Sequence, residues 1–273
     1  DYGGYFIIDG KEKVIIPQEK FADNMIYTRK HPDKDKFLYS TNIRSVSENS
    51  SKPIRQCSVK IIAPPSRVSN LQLVVDVANV KKPVPLFILM RALGIESDLD
   101  IIQLCLLNLE IPEQAFLQDL FIPSIHEASA LGIFNQQTAL YYMAELTKHG
   151  TVSGVMEILS DYFLAHVGEL CFIDKGYFLG YMTKKILLAY FEVSKQDDRD
   201  SYLNKRVDLT GTLLNNLYRN YFYKLVKDME KQVIREINTG SWRSKDDYEN
   251  IINLTNIYKI IKSTTIENGI KRA

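Results

Sequence analysis

The sequence predicts an α+β fold, with short antiparallel strands in the first third and helices in the rest. Three observations predict it. Before about residue 93, β-branched and aromatic runs of four to seven residues are divided by Gly, Pro, Asn and Asp, the pattern of strands and turns. Beyond Gly94 the apolar residues recur at helical spacing. Between Leu209 and Ile237 they form the longest periodic signal in the chain: Leu213, Leu217, Tyr221, Leu225, Met229, Val233 and Ile237 recur every four residues.

Taken in order, Tyr5–Ile8 and Lys13–Ile16 are strand-like runs around Asp9-Gly10-Lys11-Glu12, and Asp-Gly in such a place signals a hairpin. The Gly3-Gly4 pair before them suggests tight backbone packing or a positive φ. Residues 23–55 are polar, with Ile43–Val46 a brief strand between the loops His31–Lys36 and Glu48–Pro53. Cys57–Ile62 and Leu71–Val77 are strands, and Pro83 and Pro85 lead into Leu86–Leu93. Ile101–Leu109, Pro112–Leu120 and Gln137–Leu146 are predicted helices, with breaks at Pro112, Pro123, Gly132 and Gly150. One helix is predicted over Val152–Val167 and another over Tyr177–Glu192, with Lys184-Lys185 facing outward. The long stripe from Leu213, flanked by Leu214, Tyr218, Phe222 and Val226, predicts a core-facing helix that stops at Asn238-Thr239-Gly240. A polar loop, Ser241–Tyr248, carries the only Trp, and Ile251–Lys262 is the last amphipathic piece.

With 273 residues, 45% hydrophobic and 25% charged, the chain has a globular composition and room for one or two domains. It has no run of about 18 apolar residues, so no membrane partner is expected. Its first residues, DYGGYFIIDG, show no signal-peptide pattern and read as cut from something longer. Cys57, Cys105 and Cys171 lie far apart, which argues for a reducing compartment and against a disulfide framework. His31, His126, His149 and His166 have no Cys or His at ligand spacing, so no metal site is expected. The net charge of +1 conceals two basic ends around an acidic middle: residues 95–174 carry 12 acids and a single Lys148. Phosphate contacts should therefore come from the ends. The middle either keeps its lobe soluble or meets a basic protein.

No phosphate-binding glycine loop, dinucleotide fingerprint, zinc-protease motif or nucleophile elbow occurs. The densest chemistry is Asp197–Leu214, DDRDSYLNKRVDLTGTLL, whose first twelve residues hold Asp197, Asp198, Asp200, Asp208, Arg199, Lys205 and Arg206. Charge of both signs at that density must be solvated, paired internally or met by a charged ligand. Adjacent aspartates around Arg199 make a poor metal site.

Five blocks in order resemble the second-largest (β-type) subunit of multisubunit DNA-directed RNA polymerase, and most closely the eukaryotic RNA polymerase II form. DYGGYFIIDGKEKV (Asp1–Val14) resembles its Gly-Gly-Tyr-Phe-Ile-Ile hairpin, with Tyr2 where the family has Pro. PLFILMRALG (Pro85–Gly94) and FLGYM (Phe178–Met182) resemble two further segments, and Asp197–Leu214 resembles the family's Asp-Asp-Arg-Asp block. TIENGIKRA (Thr265–Ala273) resembles the approach to its next motif. Thr210 and Thr212 stand where close forms have Ala and Pro, and the loop around Trp242 departs from the pattern. These departures, with the Asn, Ile and Lys bias, suggest a divergent lineage, protist or virus-encoded.

The resemblance implies residues 1–20 as the end of the first protrusion segment and 21–130 as the lobe. Residues 131–190 would be the second protrusion segment and 191–273 the fork. It implies a mixed lobe and protrusion followed by a mainly helical fork, lining the DNA cleft and contacting the RNA–DNA hybrid and the bubble edge. No catalytic residue is expected here, because the family's Mg²⁺ ligands lie in the largest subunit and later in this one; the piece alone would be inactive. Implied partners are template DNA, the hybrid, the largest and other core subunits, and general transcription factors. The place of work is the nucleus, or the virion and host cytoplasm for a virus-encoded form. Arg199, Lys205, Arg206, Arg235, Arg243, Lys245 and Lys271 become backbone-contact candidates. The alternative for each is an internal salt bridge, such as Arg199 or Arg206 with Asp198 or Asp208. The alternatives for the whole are a non-enzymatic interaction scaffold and a free-standing nucleic-acid-binding protein.

Overall fold

The computed structural model describes residues 3–32, 35–48, 52–63, 71–107, 115–148, 150–239 and 251–272. The chain divides into two compact units, one comprising Asp1–Lys20 with Lys205–Ala273 and the other Phe21–Asn204. Strands and helices occur in both, so the fold is α+β.

In the first unit, β1 (Tyr5–Ile8) and β2 (Lys11–Val14) form an antiparallel hairpin in which Tyr5 faces Val14 and Ile8 faces Lys11. The second strand starts two residues before the expected Lys13. Asp9 (φ 50°) and Gly10 (φ 71°) both take left-handed conformations, so a two-residue turn suffices and matches the strand twist. Of the two readings of the Gly3-Gly4 pair, tight packing applies to Gly4: a Cβ there would lie 2.4 Å from Thr210 Oγ1. Strand β3 (Gln18–Phe21) pairs with β9 (Lys205–Asp208). Then follow α8 (Thr210–Thr239), α9 (Ile257–Ile260) and α10 (Thr264–Arg272).

The expected core-facing stripe of α8 is only partly covered. Leu213, Leu217, Tyr221, Leu225, Met229 and Val233 are half-buried, whereas Ile237 and the flanking Leu214, Tyr218, Phe222 and Val226 are exposed. The reason is length. A 30-residue helix runs about 45 Å, and the short α9 and α10 are its helical neighbours within this unit. The expected Ile251–Lys262 piece shrinks to the four residues of α9. The loop around Trp242 lies outside the described residues.

The second unit is built on a five-stranded antiparallel meander: β4 (Ile26–Lys30), β5 (Phe37–Ser45), β6 (Arg55–Ile62), β7 (Leu73–Asp76) and β8 (Val84–Pro85). Ile43 faces Cys57 and Val59 faces Val75. Strand β5 has nine residues where the sequence suggested four. Its inward positions are Tyr39, Thr41, Ile43 and Ser45, all buried, and the two hydroxyls blur the apolar alternation. Both hydroxyls are satisfied, Thr41 by Thr28 (3.0 Å) and Ser45 by His166 Nδ1 (2.9 Å), which removes the cost of burying them.

Helix α1 (Leu86–Ala92) is buried along its whole length. It carries Arg91, which donates to the carbonyls of Ile133 and Glu96 and pairs with Asp98. Against it pack α2 (Asp98–Leu106), α4 (Ile122–Ala130) and α5 (Gln136–Leu146), with α3 (Ala115–Asp119) preceding α4 and α6 (Val152–Glu157) packed on α5. Pro123, expected as a break, instead opens α4, since a first-turn residue needs no N–H partner. Helix α6 ends well short of Val167 because the chain passes into a π-helical turn, Ile158–Tyr162, and Leu164 then reverses it at φ 46°. Helix α7 (Phe172–Tyr190) crosses β4, β5 and β6 and lies close along α2. Gly180 of the FLGYM block permits that approach, since a Cβ there would sit 2.8 Å from Leu104 O.

Lys175 of α7 is wholly buried. Its ammonium donates to the carbonyls of Leu159 (2.6 Å), Ser160 (2.8 Å) and Glu169 (3.3 Å), tying the π-turn and the loop after it to α7. Burial lowers its pKa to about 8.

Candidate nucleic-acid interface

The charged block is divided between the two units. Asp197–Asn204 belongs to the unit Phe21–Asn204, and Lys205–Leu214 to the other.

In the first of these parts, Asp197 closes the free edge of β4. Its carboxylate accepts the Thr28 N–H (2.8 Å), and its own N–H donates to Thr28 O (3.2 Å). An unpaired strand edge invites pairing with other chains, and a residue whose carboxylate takes the edge donor and whose N–H takes the edge acceptor blocks this. Asp198 accepts the Asp200 N–H (2.9 Å), and its carbonyl accepts from Asn204 Nδ2 (2.7 Å), which fixes a local turn. Between them Arg199 is exposed, its guanidinium 4.5 Å from the Phe21 ring centroid and 5.9 Å from that of Tyr27. The expected internal partner of Arg199 was a carboxylate, but the structure gives it aromatic rings. Stacking holds a guanidinium without neutralising it.

Arg199 overlooks a cleft of about 380 Å³ on the outer sheet face, into which Arg29 of β4 and Arg44 of β5 also project, with Asn42 and Gln56 on its floor. The sequence did not single out Arg29 and Arg44. Both occupy outward positions, Arg29 beside the buried Thr28 and Arg44 between the buried Ile43 and Ser45. However, β4 lies in the stretch read as polar, and at β5 only Ile43–Val46 reads as a strand, too little to show an outward row across two strands. Asp197, Asp198 and Asp200 line the same cleft, and the first two spend carboxylate oxygens on backbone N–H groups.

The other candidates fare differently. Lys205 pairs with Glu19 at 3.1 Å, and Asp208 pairs with Lys20 at 3.2 Å across the β3–β9 ribbon. Arg206 is exposed and donates to Lys205 O (2.7 Å). Arg235 is exposed on α8 and pairs with none of the described residues. Lys271 pairs with Glu267 one turn away (2.7 Å), a hydrogen bond that raises the lysine and lowers the carboxylate. Arg243 and Lys245 lie outside the described residues. Among the described residues no three His, Cys, Asp or Glu side chains converge as metal ligands. Asp197 and Asp198 each spend a carboxylate oxygen on an N–H group, which leaves the block a poor ligand set for a hard cation such as Mg²⁺.

Comparison with known proteins extends the resemblance. The family model RNA polymerase Rpb2, domain 2, matches residues 22–208. The chain is 33% identical over 282 residues to DNA-directed RNA polymerase II subunit 2 of Arabidopsis thaliana, covering 99% of this chain and 22% of that protein. It is 36% identical over 248 residues to DNA-directed RNA polymerase II subunit RPB2 of Encephalitozoon cuniculi, covering 88% and 21%. It is 32% identical over 240 residues to DNA-directed RNA polymerase subunit Rpo2 of Sulfolobus acidocaldarius, covering 85% and 20%. The chain thus spans about a fifth of the length of the curated relatives it matches. With five motif blocks in order and a family match over most of its length, the chain belongs to the second-subunit family of DNA-directed RNA polymerases, RNA polymerase Rpb2, domain 2.

Proposed function

We propose that this chain is the part of an RNA polymerase second subunit that guides nucleic acid by its sugar–phosphate backbone. It would serve transcription within the catalytic core and supply no catalytic group of its own. The observation that carries this reading is the cleft bearing Arg29, Arg44 and Arg199, in which Asp197 and Asp198 are turned toward backbone N–H groups while the arginines stay exposed. Guanidinium groups held this way bind phosphates of any sequence. Arg206 and Arg235 are further contacts, and Arg243, Lys245, Lys205 and Lys271 complete the candidate set. Template DNA, the RNA–DNA hybrid, the largest subunit and general transcription factors are the proposed partners. The nucleus is the proposed location, with Mg²⁺ held by other parts of the enzyme. The names protrusion (1–20 and 131–190), lobe (21–130) and fork (191–273) belong to this proposal, and the compactness of Phe21–Asn204 favours giving that whole stretch to the lobe.

The test is whole polymerase carrying Arg29→Ala, Arg44→Ala and Arg199→Ala in this subunit, bound to an RNA–DNA scaffold over a salt series. Removing each arginine–phosphate pairing should lower the slope of log K against log salt by about 0.7–0.9. An unchanged slope with unchanged affinity would remove the cleft from the nucleic-acid path.

A further inference from the structure

On the other side of the Asp197 latch lies a second cleft, of about 290 Å³, with a different chemistry. One face of α7 forms its wall: Tyr181, Lys184, Lys185 and Leu188, at positions i, i+3, i+4 and i+7, with Leu107 at the end of α2 opposite and Lys195 at the rim. Leu107 is 64% exposed and Tyr181 48%, so the cleft presents large apolar side chains to solvent between three ammonium groups. Among the described residues that line it, the one acid is Asp197, whose carboxylate accepts the Thr28 N–H. Lys184 donates to Leu106 O (3.2 Å), so its charge is held in place at the C-terminus of α2.

We propose that this cleft docks an acidic, apolar-faced segment of a partner protein, one whose Asp or Glu side chains flank large aliphatic or aromatic residues. Charge complementarity identifies the occupant: among the described residues three lysines border an apolar floor against one carboxylate, Asp197, which is held by the Thr28 N–H. Nucleic acid fits less well. Its bases would need an open aromatic face, and Lys185 Nζ lies 5.8 Å over the ring of Tyr181, while Leu107 and Leu188 offer no π-surface. The surface is small, so a weak, exchangeable contact is expected.

The test uses the full chain and a fluorescent peptide of about fifteen residues, with Leu and Phe at i, i+3, i+4 and i+7 among Asp and Glu. Binding by anisotropy should weaken about tenfold or more in the Lys185→Glu, Lys195→Glu double variant. It should be unchanged in Lys82→Glu, an exposed lysine outside the cleft. It should also be lost when the peptide's Leu and Phe become Ser. Neither substituted lysine makes the bond to Leu106, and an unchanged thermal melt of the double variant separates lost docking from lost folding. Absence of binding, or binding by charge alone, overturns the proposal. So does oligothymidylate that binds tighter and loses affinity in the same double variant, which would give the cleft to nucleic acid. Sedimentation showing a dimer that dissociates in that variant would give it to a second copy.

Discussion

Replacing Asp197 with Ala tests how the charged block is held. The substitution removes a charge-assisted hydrogen bond of 2.8 Å to Thr28 N–H and loosens the 3.2 Å backbone bond beside it. Bonds to charged groups contribute about 1.5–3 kcal/mol when shielded. Asp197 is exposed and Thr28 is buried, so solvent screening brings the contribution to the bottom of that range and somewhat below it, about 1–2 kcal/mol. For a unit of this size, each kcal/mol moves the melting temperature by about 2–4 °C, giving a fall of about 2–8 °C. The variant should also self-associate, because the edge of β4 is uncovered. Differential scanning fluorimetry measures the first effect and light scattering the second. Asp197→Asn keeps an acceptor of the same shape and should recover more than half of the loss. If Ala changes stability by less than about 0.5 kcal/mol, as an ordinary surface substitution does, or Asn is as damaging as Ala, then Asp197 is not the latch.

Lys175→Met should cost about 2–5 kcal/mol in chemical denaturation. It leaves three carbonyls without their donor, partly offset by removing a buried charge. The pH dependence has a fixed sign. With the folded pKa at about 8 and the unfolded one near 10.5, the unfolded chain binds more protons between those values. The stability difference between wild type and Lys175→Met should therefore grow in favour of wild type as pH rises through that window, by at most about 1.4 kcal/mol per unit. A difference that does not vary with pH would mean Lys175 titrates normally. Gly180→Ala should destabilise by about 1–3 kcal/mol, because the new methyl meets the Leu104 carbonyl and α2 must move; a neutral result in a thermal melt would show that the helices are not in close contact there.

The site was legible in the sequence to different depths. Density of charge at Asp197–Asp208 marked a segment for pairing or ligand contact, and internal pairing applies to Lys205, which meets Glu19, while Arg199 remains exposed. What the sequence hid was the partner of each charge. Phe21 and Tyr27 lie more than 170 residues from Arg199, and no local pattern links them. Arg29 and Arg44 were hidden for a related reason: β4 lies within the polar stretch 23–55, and Thr41 and Ser45 at inward positions of β5 break the apolar alternation that would have revealed the paired strands.

Local chemistry was enough wherever a residue's own backbone or near neighbours decide the outcome. Asp9-Gly10 requires a hairpin because both residues accept a positive φ, and the four-residue repeat from Leu213 requires a helix whatever covers it. The family blocks, too, are a property of sequence. Tertiary structure alone decided burial and partnership. It left one row of α8 uncovered because its helical neighbours are short. It broke the expected Val152–Val167 helix at a π-turn whose carbonyls a distant lysine could satisfy. It also turned Asp197 onto the edge of β4, because a strand edge needs a partner and the chain could bring one there from 169 positions away.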